Sequence, residues 1–275
     1  MPHTPAFHAQ RCWVLSDLHL NESRPDDFHA LITILENATR ERIPVICGGD
    51  FFDLFLGWSG CLTPQQRTLQ KLLTRFRERG LRFYWIEGNR DFRPHIWADV
   101  CAAITRELVW TIGDRRFAMV HGDRLNRRDW RHRAWLAVAK SRPALFLPRL
   151  MPPTWVHKIA TFCYRHLHRY TRPRYPDFSW DPIRQALIRL GRRLAADVVL
   201  FGHYHRWLRF HLDDPIRGPL IGYAIPSWDE FPLFVEFNVD GTVVPRHPDG
   251  RPLDLEPLPP TAHPIRKSGH HRPRR

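Results

Sequence analysis

Five short runs of apolar and β-branched residues punctuate the first three-quarters of the chain, and each ends abruptly in polar, mostly glycine-containing sequence. They cover residues 12–15, 45–47, 83–86, 117–120 and 198–201. Runs this short and apolar read as buried strands. Between the early ones the period changes to that of a helix. Residues 26–41 place Phe28, Leu31, Ile32 and Leu35 on one face behind an acidic start, and residues 63–79 open with Thr63-Pro64, carry Leu69, Leu72, Leu73 and Phe76, and stop at Gly80. A third helix is expected over 94–103. This alternation predicts a parallel-dominated sheet with helices packed on it. After His205, runs at 207–212, 220–225 and 233–237 read as antiparallel strands.

The pattern breaks between the fourth and fifth runs. Residues 129–140 and 155–170 look helical, but Trp130, Trp135, Leu136, Val138, Trp155, Ile159, Phe162 and Leu167 are interleaved with basic residues, and Pro143, Pro148, Pro152 and Pro153 interrupt the path. The domain is therefore expected to span 11–247 with a helical, lid-like insertion at about 125–195. Aromatic bodies mixed with arginine suit the headgroup boundary of a membrane, and packing within the insert's own small core is the alternative. From residue 248 the chain is Pro-rich and basic, which predicts a disordered tail.

Composition adds charge to this picture. The 275 residues carry a net charge of +14, unevenly spread: residues 121–195 hold a surplus of +13, the last thirteen residues add +5, and the remainder is mildly acidic. A basic insert on an acidic scaffold points to a polyanionic partner: a phosphorylated substrate, an anionic membrane surface or nucleic acid. Five cysteines (Cys12, Cys47, Cys61, Cys101, Cys163) without Cys-x-x-Cys spacing predict buried free thiols and a reducing, cytoplasmic setting. No apolar run is long enough to span a bilayer.

The chemistry sits where the five runs end, where open α/β sheets place their sites. The loops read Asp17-Leu18-His19, Gly49-Asp50, Gly88-Asn89-Arg90-Asp91, His121-Gly122-Asp123 and Gly202-His203-Tyr204-His205. In Asp-x-His, alternate side chains share a face, so Asp17 and His19 converge on one ion. Asp50 has two oxygens with which to bridge a pair; Asn89, His121 and His203 complete the second ion, and His205 returns to the first. Carboxylate, amide and imidazole without thiolate favour Mn²⁺, Fe²⁺, Zn²⁺ or similar ions over Ca²⁺. Two such ions activate a water and hold phosphate oxygens for in-line attack. Other histidines, such as His29, His132 and His166, are expected to bind no metal.

This ordered series resembles the calcineurin-like metallophosphoesterases over roughly residues 12–240, which implies an α/β, two-sheet α/β/β/α sandwich with a dimetal centre. Most members have histidine after the Gly-Asn pair; here it is Arg90. That variant, with Ser16-Asp17-Leu18-His19-Leu20, Gly49-Asp50-Phe51-Phe52-Asp53 and His121-Gly122-Asp123, is similar to the UDP-2,3-diacylglucosamine diphosphatases of lipid A assembly. The resemblance implies cleavage of the substrate's pyrophosphate to UMP and 2,3-diacylglucosamine 1-phosphate, with two Mn²⁺, by a protein peripheral on the cytoplasmic face of the inner membrane. Its partners would be an anionic glycolipid and the membrane surface rather than nucleic acid.

Carried over by residue, Asp17, His19, Asp50 and His205 bind one ion and Asp50, Asn89, His121 and His203 the other. Asn89 and Arg90 serve catalysis; Arg90 stabilises the transition state but is a poor general acid. Asp91 and Asp123 orient ligands, and Arg90, Asn126 and Asp129 contact substrate. The sequence departs from that group at residues 54–60 and at Asn126-Arg127-Arg128. Two competing readings are a hydrolase of the same fold acting on another phosphoester or nucleic acid, and a metal-free scaffold.

Overall fold

In the computed structural model, which describes residues 6–156, 158–162 and 179–260, the five apolar runs become strands of two mixed six-stranded sheets. The first sheet is built on parallel strands β2 (Arg11–Leu15), β3 (Val45–Cys47), β4 (Phe83–Ile86) and β5 (Ala103–Thr105). Antiparallel β11 (Phe234–Asn238) and β12 (Val243–Arg246) extend it beyond β2. In the second sheet the order is β1-β6-β7-β8-β10-β9. Its strands are β1 (Ala6–Ala9), β6 (Glu107–Ile112), β7 (Arg115–Val120), β8 (Val198–Phe201), β9 (Leu208–Asp214) and β10 (Gly218–Ala224).

Strand alternation sorts side chains into three layers of core. Cys12, Val14, Ile46, Ile86, Trp110, Met119 and Leu200 meet between the sheets. Trp13, Leu15, Val45, Cys47, Phe83 and Trp85 face outward from the first sheet onto α1 (Pro25–Glu41) and α2 (Pro64–Glu78). Val109, Ala118, Val199 and Phe201 face outward from the second onto α5 (Asp181–Leu194). Because both faces of β2, β3, β4 and β8 are covered, these strands read as unbroken apolar runs. Helix α2 starts where Thr63 and Gln66 cap each other's backbone, a capping box the sequence spells out.

Several expectations need correction. Parallel pairing prevails, as the alternation predicts, but both sheets are mixed, and strands β1, β5, β6 and β12 extend them beyond the runs read from the sequence. The helix expected at 94–103 is a single tight turn at Pro94–Trp97. That turn suffices to bury Trp97 edge-on against Phe52, Phe55 and Trp85, and the chain then leaves to pair β5 with β4. Within the presumed insertion, α5 is part of the sandwich: Ile183, Leu187 and Leu190 are buried, and Arg192 forks onto Asp214 of β9 at 2.6 and 3.2 Å.

Nor is the start of the tail disordered. The Leu258 N–H donates to the Trp207 carbonyl, the Trp207 indole to the Leu255 carbonyl, and Leu253 and Leu255 pack on the inter-sheet core. The part of the tail from 261 onward, with its five basic residues, lies outside the described residues, as do Cys163, His166, Leu167 and the end of the helix expected at 155–170. Cys12, Cys47, Cys61 and Cys101 are free thiols.

The rest of the insert stands apart from this packing. Helix α3 (Trp130–Ala139), capped by Asp129, is followed by α4 (Arg142–Phe146) and by helical residues at 153–156 and 158–162. Trp130, Val138, Phe146, Leu150, Trp155, Ile159 and Phe162 are all exposed, from 45% at Ile159 to 71% at Leu150. No described helix is long and apolar enough to cross a membrane.

Candidate metal centre

The carboxyl ends of β2, β3, β4, β7 and β8 lie at one end of the sandwich, and the loops that follow them turn sharply. Asp17, His19, Asp50, His203 and His205 all have positive φ, between 50° and 68°. Among the described non-glycine residues only Arg42 and Ala195 share this, and both cap helices. Left-handed backbone in such residues costs on the order of 1–3 kcal/mol each and persists only where the surroundings over-determine it, typically at functional sites. Two glycines permit the close approach of these loops. A Cβ on Gly88 would fall on the Asp50 amide and carboxylate, and one on Gly202 would fall on the side chains of Ser16 and Asp17.

The side chains expected to bind metal are brought together as one chain of short contacts. His205 Nε2 lies 3.2 Å from His19 Nε2 and 3.4 Å from Asp17 Oδ1. The His203 amide donates to Asp17 Oδ2 at 2.8 Å, and its Nδ1 is 2.9 Å from Asn89 Oδ1. His121 Nε2 is 3.0 Å from that same amide oxygen and 3.6 Å from Asp50 Oδ1. Two groups of potential ligand atoms emerge, Asp17/His19/His205 and Asp17/Asp50/His121, each within 4.8 Å. Asp17 is common to both of these groups among the described residues, and Asp50, expected to bridge the pair of ions, belongs to the second. Asp17 Oδ1 and His19 Nδ1 are buried with no hydrogen-bond partner, a costly state that a cation would relieve. The donors are oxygen and imidazole nitrogen, so they fit hard or borderline divalent ions.

Two of the imidazoles are held in the neutral form that such ions need. Burial pushes His19 and His203 well below the usual histidine range, assisted by Arg90 for the first and by His121 and His132 for the second, so both imidazoles are neutral donors. Burial would lift Asp17, yet the opposing His121, His205 and His19 hold it well below the carboxylate range. Burial would likewise lower His205, but its bonds to Asp17 and Asp229 raise it to about 10. Asp50 is raised by burial despite His121 and Arg90.

Around the ligands lies a supporting shell that is only partly legible in sequence. Asp91 is buried, as an orienting role requires. Its Oδ2 accepts from the amides of Asp50 and Gly88 and from the Trp85 indole, at 2.8–3.1 Å. Burial, then the charge of Asp50, pushes it up to about 6. His121 Nδ1 is fixed by the Gly48 carbonyl at 2.8 Å, and His205 Nδ1 by Asp229 Oδ2 at 2.7 Å. Ser16 donates to Asp17 Oδ2. Asp229, Ser16 and Trp85 were not singled out as site residues; the acidic loop after β10 was the only signal for Asp229.

Arg90 lies over the site, its Nε 3.3 Å from Asp50 Oδ2 and its Nη1 2.5 Å from Asp53. Asp123 is partly exposed, 3.8 Å from Arg124. Asn126 and Asp129 serve their own backbone, Asn126 accepting from the Arg128 amide and Asp129 from that of His132.

Helix α3 touches the centre at two points. The Lys140 ammonium donates to the carbonyls of Gly88 and Asp91 at 2.6 and 2.8 Å, straddling the loop that carries Asn89 and Arg90. The buried His132 ring packs 5.3 Å from that of His203. This part of the insert is anchored rather than free to swing.

The chain is similar to several known proteins. A UDP-2,3-diacylglucosamine hydrolase of Pseudomonas aeruginosa PAO1 is 28% identical over 82% of this chain and 95% of its own length. A protein of the same name from Pseudomonas savastanoi pv. phaseolicola is 28% identical over 70% and 78%. Among solved structures, hypothetical protein PH1004 of Pyrococcus horikoshii superposes with a TM-score of 0.46 at 11% identity, covering 86% of this chain and 87% of that one. The profile of the calcineurin-like phosphoesterase family matches residues 10–207, most of the sandwich and all seven ligand positions, and the chain belongs to that family.

Proposed function

We propose that the protein hydrolyses the pyrophosphate of UDP-2,3-diacylglucosamine to UMP and 2,3-diacylglucosamine 1-phosphate, with Mn²⁺, at the cytoplasmic surface of the inner membrane. One observation carries this reading: a metal loop bearing Arg90 in place of histidine is joined, in the same chain, to an insert that exposes seven large apolar side chains among arginines. The relatives named above are called hydrolases of this glycolipid, and their likeness supports the same substrate.

Asp17, His19, Asp50 and His205 would hold one divalent ion, and Asp50, Asn89, His121 and His203 the other. Such ions acidify a bound water and polarise phosphate oxygens. The chain supplies the rest. Asp229 keeps the His205 ring turned so that Nε2 faces the ligands, and the Gly48 carbonyl does the same for His121. Asp91 ties the amides of Asp50 and Gly88 together, which fixes the spacing of two ligand loops.

Arg90 presents a permanently charged fork to phosphate oxygens. Its electrostatic pull on the developing charge does not require proton transfer, which suits a phosphate leaving group better than an alkoxide. The exposed aromatics of the insert would take acyl chains or lie in the membrane boundary, where burying each side chain is worth roughly 1.5–3 kcal/mol, while neighbouring arginines meet phosphate.

The test is a substrate panel with Mn²⁺ present, reading UMP release from UDP-2,3-diacylglucosamine against simple phosphodiesters. Strong preference for the glycolipid is expected; equal or better turnover of generic diesters would overturn the assignment. The surplus of +13 over residues 121–195 favours one other reading, a nuclease tracking a phosphate backbone. Competition between single-stranded DNA and the glycolipid separates the two.

A further inference from the structure

A cavity of about 400 Å³ opens beside the metal centre, between the loop after β7, Lys140 at the end of α3, and α5. His121 and Gly88 form its inner wall, so it is continuous with the metal loops. Its other described lining is strongly cationic. Three of the arginines have acidic partners in place: Arg193 forks onto Glu107 at 2.5 and 2.8 Å, Arg106 pairs with Glu87 at 3.3 Å, and Arg124 with Asp123 at 3.8 Å. Arg127 and Arg189 have no acidic partner among the described residues, and both line the cavity, one from the loop before α3 and the other from α5. Leu125 and Leu190 add an apolar wall. The volume lies in the range of small-molecule sites and exceeds what a bare phosphate needs.

We infer that this cleft receives the nucleoside monophosphate half of the substrate, its anionic end toward His121, its charge complemented by Arg127 and Arg189, and its ring against Leu125 and Leu190. A planar guanidinium fork suits phosphate oxygens, and the leucines suit the flat apolar faces of a base. The glycolipid half would then run the other way, toward the exposed aromatics of the insert. The assignment rests on the substrate proposed above, but the cleft can be tested without turnover.

The experiment is isothermal titration calorimetry of the full chain in chelator, with UMP, uridine and inorganic phosphate as separate titrants. UMP is expected to bind at least about tenfold tighter than either fragment, and R127A combined with R189A to weaken it by about tenfold or more. R131A, an exposed arginine on α3 outside the cavity, should leave UMP binding unchanged. Equal affinity for UMP and phosphate, or UMP binding untouched in the double variant, would overturn the inference. Because thermal melts of each variant report folding separately, a collapsed protein is not mistaken for a lost site. If UMP binds through the two arginines but the glycolipid is not hydrolysed, the substrate proposal fails and the cleft stands. If the glycolipid is hydrolysed and UMP does not bind, the cleft alone fails.

Discussion

The two ends of the loop after β7 obey opposite rules. At residue 121 the chain enters a region of strained backbone and buried carboxylates, with His121 and His205 held by a neighbouring carbonyl and acid and with Asp17 Oδ1 and His19 Nδ1 left for a cation. Past α3 it enters a region where Phe146, Leu150, Trp155, Ile159 and Phe162 lie open to solvent. The first is over-determined, so single substitutions should cost a great deal of function. The second is under-packed, so substitutions should cost little stability and act only when a partner is present. Helix α3 is the seam, bolted to the metal loops by Lys140 and His132 yet carrying exposed Trp130 and Val138 on its outer side.

The largest effect is expected at Arg90. R90A should lower kcat by about 10²–10³ with little change in thermal stability, because it removes a donor aimed where charge develops. R90K should not restore the rate, since an ammonium lacks the fork geometry. Wild-type turnover in R90A would remove the mechanism.

Next comes the seam. K140M strips two charge-assisted bonds from the Gly88 and Asp91 carbonyls and should destabilise the protein by about 2 kcal/mol in denaturant melts. K140R should recover part of that loss. An unchanged midpoint in K140M would mean that α3 moves freely over the site and that the contrast drawn above is misplaced.

How far this contrast could be read in advance depends on which interactions are local. The convergence of the seven candidate ligand residues was legible because each motif sits directly after an apolar run, and the covered strands forced those loops to one end. The helix start at Thr63-Pro64 was legible as well, being written in adjacent residues. Edge strands β1 and β5 were not, because short, half-exposed segments have weak periodicity and are defined by their neighbours. Asp229 binds His205 across 24 residues and Lys140 reaches Gly88 across 52, distances over which sequence spacing carries no geometric information. Helix α5 was absorbed into the insert because its arginines hid an apolar stripe of Ile183, Leu187 and Leu190.

That boundary can be checked by pH. Hydrogen bonds from Arg192, and then from the Ile216 amide, hold the Asp214 carboxyl down at about 2. A carboxylate depressed in the folded state stabilises it above its unfolded pKa and loses that contribution as pH falls toward 2. D214N should therefore melt below wild type at pH 5, with the gap closing as pH falls toward 2. A gap independent of pH would detach α5 from β9 in this account.

The smallest effects belong to the insert. L150S and W155S should each change stability by no more than about 0.5 kcal/mol, as substitutions at exposed positions do. Both should nonetheless weaken sedimentation with anionic phospholipid vesicles. A large drop in melting temperature would instead reveal that these side chains pack internally.

The central claim is that seven side chains from five loops share one dinuclear cavity. Titration of the chelator-stripped protein with Mn²⁺, followed by electron paramagnetic resonance, tests it directly. The prediction is two ions per chain with the spectrum of an exchange-coupled pair, the coupling lost in D50A; binding of fewer than one ion, or of two magnetically isolated ions, would contradict it.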